Sequence, residues 1–268
     1  MSSARNYGVS KANGQYIAFL DSDDLLHPDC YRILIENIES SDIDVVACAF
    51  DTFSDEEPTQ ECSTENYNTV VYSGGSSAAE SMVSADKNMS VRGYVWNKVY
   101  KRALLEKVKF DESLVICEDS VFSWEIVKNA KELQLIQLPL YHYRKRENSS
   151  TGTANFEKNI TAVKAYSRMI KDVLKKEVNL REQYQLELFR QYICWILRTA
   201  ESDGRDMEKL SDLKEYIDLI PSTLKVKNLS FGMKAKFVAL KKSPWMYICT
   251  DKMWRIVSYM KNTIKTLV

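Results

Sequence analysis

The chain has 268 residues, enough for one large domain or one domain with a helical appendage. Its 37 Lys and Arg balance 37 Asp and Glu, so no overall field draws in nucleic acid. Its six cysteines include no Cys-x-x-Cys pair, which argues against a zinc site or a redox dithiol and leaves a reducing compartment as the default. In chain order, Ser2 or Ser3 is placed to cap a short helix that Asn13-Gly14 ends. Ile17, Ala18, Phe19 and Leu20 then read as a strand buried on both faces. That run stops in Asp21-Ser22-Asp23-Asp24. Carboxylates at the carboxyl end of a buried strand lie where open α/β sheets bind ligands, and their hard oxygens suit Mg²⁺ or Mn²⁺. The plainer alternative is that the four residues end a strand and cap the next helix.

Asp29 to Ser40 predicts a helix with Tyr31, Leu34, Ile35 and Ile38 on its apolar face, and Ile43 to Phe50 a second buried strand. Thr52 to Asn68 is polar and reads as a loop with one short hairpin. Gly74-Gly75 lacks the Gly-Lys-Ser/Thr ending of a phosphate cradle and reads as a turn before a helix at Ala78 to Ser84. Trp96 offers an apolar face for core or for a sugar ring. Glu118 and Asp119 open a helix to about Ala130, with Val121, Phe122 and Ile126 inward. A helix N-terminus favours negative charge, so Asp119 is expected to stay ionised. Leu133 to Arg146 reads as a strand pair punctuated at Pro139. Within it His142 is expected to be a hydrogen-bonded structural residue, with metal ligation the alternative. Helices are predicted at Phe156–Glu177, Arg181–Glu201, Met207–Ile220 and Pro244–Val268, the second with Leu186, Phe189, Ile193, Ile196 and Leu197 as its stripe.

Four stretches together resemble the family 2 glycosyltransferases, enzymes of the GT-A type. They are Ala4-Arg5-Asn6-x-Gly8 running on through Ala12-x-Gly14-x-Tyr16-Ile17 to Phe19-Leu20-Asp21-Ser22-Asp23-Asp24 and Pro28; Trp96-Asn97-Lys98-x-Tyr100; Glu118-Asp119; and Leu140-Tyr141-His142-Tyr143-Arg144 with Ser149 and Thr151. The likeness covers about residues 2 to 153. It implies an α/β fold, a GT-A-like sandwich truncated at its N-terminus (1–153), followed by an α-helical C-terminal region (154–268). In the family a nucleotide-binding half precedes this segment. The resemblance therefore implies either a truncated or mis-started enzyme, or an inactive remnant serving as a membrane-surface or subunit-binding module.

For an intact enzyme the resemblance implies inverting transfer of a sugar from a nucleotide-diphosphate donor, a UDP-sugar by preference. The acceptor is a hydroxyl on a glycan or lipid-linked chain in envelope or capsule synthesis. It assigns Asp119 as general base with Glu118 beside it, and Asp21 and Asp23 as ribose and metal ligands for Mn²⁺ or Mg²⁺, Asp23 the firmer. Arg5, Asn6, Lys98 and Arg144 become donor-site residues, with Ser149 beside Arg144 in a closing loop. The family usually has Gly where this chain has Cys117, a side chain expected to crowd the acceptor pocket.

From Lys225 onward ten Lys or Arg face one acid, while the preceding 224 residues carry 27 basic and 36 acidic residues. Lys234, Lys236, Lys241, Lys242 and Lys252 are interleaved with Phe237, Trp245, Met246, Tyr247 and Trp254. Two readings stand. Either an amphipathic helix lies on an anionic membrane, or a basic helix packs on the acidic body of the same protein. No signal peptide or spanning stretch is read, so the expected location is cytoplasmic, peripheral on the inner face of the plasma membrane. The helices also offer a surface for a homo-oligomer.

Overall fold

The computed structural model describes residues 1–40, 42–54, 63–85, 91–145, 155–202, 206–222, 224 and 229–254. Ser149, Thr151 and the tail from Arg255 onward lie outside them. The sheet contains β1 (Tyr16–Ala18), β2 (Leu25–Leu26), β3 (Val45–Phe53), β4 (Thr69–Ser73), β5 (Lys98–Lys101) and β6 (Glu132–Arg144). The order is β1-β5-β3-β6-β2, with β4 also paired to β6. β3 and β6 are parallel, and β5 is antiparallel to both β3 and β1. Hence β1, β3 and β6 point the same way, and their carboxyl ends share one edge of the sheet. Asp21, Phe53 and Arg144 collect there.

The first strand differs from expectation. β1 pairs on one side only, with β5, so it is an edge strand rather than a buried one. Ile17 is buried, but Ala18 is exposed and Leu20 is 51% exposed. The predicted strand pair around Pro139 is one long bent strand. Its register against β3 slips between Cys48 and Phe50, where Ala49 faces Pro139 and Phe50 faces Tyr141. Proline cannot donate to the ladder, and a bulge accommodates it. The bend carries Tyr141 to Arg144 beneath the acidic loop, where β6 pairs with β2.

Helix α1 (Ser2–Lys11) forms without a side-chain cap from either serine. In α2 (Cys30–Glu39) the buried face is Cys30, Ile33, Leu34 and Ile38, while Tyr31 is 39% exposed. The stripe is therefore rotated by about one residue from the sequence reading. A turn through Gly74 (φ 78°) opens α3 (Gly75–Val83). α4 (Arg102–Leu105) and α5 (Glu118–Asn129) follow β5. α6 (Phe156–Leu174) is capped by Asn155, whose side chain accepts from the Lys158 amide. α7 (Glu182–Ser202) buries Leu188, Phe189, Tyr192, Ile193, Ile196 and Leu197, extending the predicted stripe.

The predicted helix at 207–220 is broken at Leu213 into α8 (Met207–Asp212) and α9 (Lys214–Ile217). α10 (Phe231–Lys242) precedes a helical stretch at 244–254. One apolar cluster runs from Ile17 and Phe122 through Met169 and Tyr192 to Tyr247, so sheet and C-terminal helices share a core. Among the described residues no helix is long and apolar enough to cross a membrane.

Candidate active site

The shared edge of the sheet opens into a cleft of about 830 Å³. Arg5, Ala18, Leu20, Asp21, Asp23 and Arg144 are among its walls. The loop after β1 is held from below. Asp24 is buried and accepts from the Tyr141 hydroxyl at 2.6 Å and from the Arg144 amide at 2.9 Å. Burial raises its pKa against those two bonds. Arg144 donates from Nε to the Asp23 carbonyl at 2.8 Å and lies 4.6 Å from the Phe53 ring centre. Tyr141 is itself stacked on Trp96, with ring centres 4.2 Å apart. Trp96 also stacks on Tyr94 and Tyr143 and meets Phe50 edge-on. At 6% exposure Trp96 is core, the foundation of the acidic loop rather than a platform for sugar.

Asp21 and Asp23 remain at the cleft wall. Among the described residues no group of three metal-binding side chains forms. Mg²⁺ and Mn²⁺ nevertheless often take one or two carboxylates and complete their shell from substrate phosphates and water. Two carboxylates on a cleft roomy enough for a diphosphate fit that chemistry.

Arg5 joins this loop to the other acidic cluster. Nη2 meets Asp21 Oδ1 and Nη1 meets Glu118 Oε1, both at 3.1 Å. The side chains of Arg5 and Glu118 are only 12% and 10% exposed. Asp21 and Glu118, remote in sequence, thus sit on either side of a single guanidinium. A planar fork with fixed donors suits such a double contact, which Lys would not reproduce. The geometry shows Arg5 holding Asp21.

Asp119, next to Glu118, faces a second cleft of about 610 Å³. Its carboxylate accepts from the Ser120 amide at 2.7 Å. Burial, followed by the neighbouring Glu118, raises its pKa to about 6. The helix terminus was expected to keep this group ionised, yet desolvation outweighs it. A base near pH 6 is still mostly ionised at neutral pH and accepts protons more strongly than an ordinary carboxylate. Cys117 adopts φ 62°, ψ 17° at the N-cap of α5 and lines the same cleft. This is left-handed backbone, open to Gly and strained by about 1–2 kcal/mol for other residues. The geometry explains why a glycine suits the position.

Two donor-site expectations are corrected. Lys98 is 2% exposed, and its ammonium donates to the Val91 and Tyr94 carbonyls and to Asn97 Oδ1. Burial brings its pKa down to about 7. It pins the 91–97 loop and does not reach the first cleft. Asn97 is likewise buried and donates to the Cys48 carbonyl. Asn6 exchanges hydrogen bonds with the Phe110 backbone and donates to Glu112, and it lines a cleft other than that of the acidic loop. His142 is 4% exposed and its Nδ1 lies 2.7 Å from Asp51, the structural role expected of it.

The second cleft contains residues that sequence reading passed over. Glu187, Arg190, Gln191, Cys194, Trp195 and Arg198 line it from α7, and Arg92 and Tyr94 from the loop held by Lys98. The α7 residues recur at helical spacing beside the apolar stripe, the one signal that marks them as a face.

The model of the family "Glycosyl transferase family 2" matches residues 1–108. The chain is 32% identical over 153 residues to the uncharacterized glycosyltransferase EpsJ of Bacillus subtilis, covering 56% of this chain and 44% of EpsJ. It is 27% identical over 236 residues to the minor teichoic acid biosynthesis protein GgaB of B. subtilis, covering 84% of this chain and 24% of GgaB. The chain therefore spans less than half of either relative. Its fold superposes on Staphylococcus aureus TarS 1-349, solved with UDP-GlcNAc, with a TM-score of 0.63 at 18% identity, over 95% of this chain and 72% of TarS. The first 108 residues, which hold the first strand and the acidic loop, are a glycosyl transferase family 2 domain.

Proposed function

We propose that this chain provides the catalytic side of an inverting glycosyltransferase that moves a sugar from a nucleotide-diphosphate donor, of the UDP type, to a hydroxyl of an envelope or capsular polysaccharide. The observation that carries this reading is the double ion pair of Arg5, which holds Asp21 and Glu118, the neighbour of Asp119 in sequence, against one guanidinium. The first cleft holds the diphosphate, the second the acceptor. Asp119 removes the proton from the acceptor hydroxyl as that oxygen bonds to the anomeric carbon. The bond from that carbon to the diphosphate oxygen breaks on the opposite face, and the electron pair leaves with the diphosphate. Asp23, with Asp21, would hold a divalent cation, which neutralises charge on the leaving group. Arg5 keeps Asp21 in place, and the packed Tyr141–Asp24 contact keeps the loop from shifting. The name of GgaB, and the known binding of UDP-GlcNAc to TarS, support the donor and polymer classes.

The test is calorimetry of the chain with UDP and Mn²⁺. Binding that is lost in Asp23→Ala is expected. An absence of binding by the unaltered chain would overturn the donor assignment and favour the remnant.

The tail supports a second, compatible property. Lys236 is paired with Glu201 at 2.7 Å and Asp251 at 2.8 Å, and Tyr247 is fully buried, so part of the basic segment packs on the body. Phe231, Val238, Trp245 and Met253 are all more than half exposed in the same region as Lys234, Lys241 and Lys252. That mixture suits adsorption to an anionic bilayer. Pelleting with phosphatidylglycerol vesicles should weaken in Trp245→Glu; unchanged pelleting would remove the idea.

A further inference from the structure

The cleft beside Asp119 has a basic wall, and its charges are unevenly satisfied. Arg190 is neutralised by Glu187, with contacts at 2.6 and 2.7 Å. Arg92 and Arg198 form no close ion pair with a carboxylate among the described residues, although the charge of Arg92 is felt by Glu187. Arg198 lies 5.1 Å from the centre of the Trp195 ring, an arrangement that pre-sets a guanidinium for a flat, two-point anion contact. Arg92 sits in left-handed backbone at φ 56°, a strained conformation for a residue with a side chain. Such strain is retained mainly where surroundings or function demand it.

An independent observation points to a ligand. Asn159 lines the same cleft at 2% exposure, and its Nδ2 donates to no acceptor among the described residues. An unmade bond at a buried donor is destabilising, and an arriving acceptor oxygen would relieve it. Tyr94 and Trp195 supply aromatic faces of the kind on which sugars and polyols stack. The volume, about 610 Å³, is that of a small-molecule site.

We propose that this cleft takes an acceptor bearing an oxyanion, a phosphate or a carboxylate, next to the hydroxyl to be glycosylated, with Arg92 and Arg198 holding the anion and Asn159 an adjacent oxygen. The assignment of the hydroxyl rests on the reading of Asp119 as base; the anion site does not. The shared chemistry has two sources, a polyol phosphate or a uronic acid. Calorimetry with sn-glycerol 3-phosphate against glycerol, and with D-glucuronate against D-glucose, separates them.

At least one anion should bind while its neutral counterpart does not. The double variant Arg92→Gln/Arg198→Gln should weaken that binding at least tenfold at an unchanged melting temperature, and Arg92→Lys/Arg198→Lys should restore only part of it, because an ammonium keeps the charge but not the two-point contact. Equal binding of anion and neutral counterpart, or wild-type anion binding in the Gln double variant, would overturn the proposal. Should the double variant fail to fold, Asn159→Leu supplies the check: anion binding is expected to weaken, and wild-type binding would overturn the role given to Asn159. If Asp119→Asn transfers sugar at the wild-type rate while anion binding and its arginine dependence persist, the base assignment fails and the anion site stands.

Discussion

The two acidic clusters meet at Arg5 but live in opposite surroundings. Asp21 belongs to an open loop, with about a third of its side chain exposed and a cation in contact. Asp119 stands in a desolvated wall that raises its pKa to about 6. The loop rests on neutral stacking, Trp96 on Tyr141 and the Tyr141 hydroxyl on Asp24. The start of α5 rests on strained backbone at Cys117 and on close approach of the 91–95 loop, where a Cβ on Gly93 would come within 2.7 Å of Ser120 Oγ. On the proposed reading, solvent on one side suits a charged diphosphate, because water and a bound cation can complete its neutralisation. Dryness on the other suits proton transfer, because desolvation lifts a carboxylate toward neutral pH.

The sharpest way to break this contrast is Asp119→Asn. It should cut kcat by about 10²- to 10⁴-fold while UDP affinity stays put, measured by transfer assays and calorimetry. In the unaltered protein, kcat/KM should fall as pH drops through about 6, where the base takes up its proton. The stability term has the opposite sense. The folded pKa is raised, so the folded state binds more protons than the unfolded state between the ordinary carboxylate value and about 6. Asp119 therefore destabilises the fold increasingly as pH rises through that window, an effect that Asp119→Asn should abolish in urea titrations.

Next in size is Arg5→Ala, which removes what joins the two sides. It leaves Glu118 nearly buried without its partner and should cost about 2–4 kcal/mol in urea unfolding. Arg32→Ala breaks ion pairs of similar length on an exposed helix face and should cost far less, since solvent screens them. Equal losses for the two would mean that burial of the Arg5 pair does not matter. Tyr141→Phe acts on the loop alone. Asp24 loses a donor at 2.6 Å, and a cost of about 1–3 kcal/mol should appear with weaker UDP binding but little change in the pH profile. Smallest is Cys117→Gly. Relief of left-handed strain, offset by the entropy of an added glycine, should leave a gain of up to about 1 kcal/mol in thermal unfolding.

What the amino-acid sequence determined by itself was local. An apolar run ending in Asp21 and Asp23, a Glu118-Asp119 helix start, and the stripe of α7 follow from period and from end-group chemistry, which neighbours a few residues away settle. The tertiary structure decided everything that needed distance. It made β1 an edge, because sheet order is set by pairings across the chain. It turned Lys98 inward, because backbone carbonyls from Val91 and Tyr94 converge only after β5 docks. It desolvated Asp119 by packing α6 and α7 around it, and it brought Arg92 and Arg198 to one cleft. Side-chain type announces what a residue can do, but burial and partners select among those possibilities, and both are properties of the folded chain.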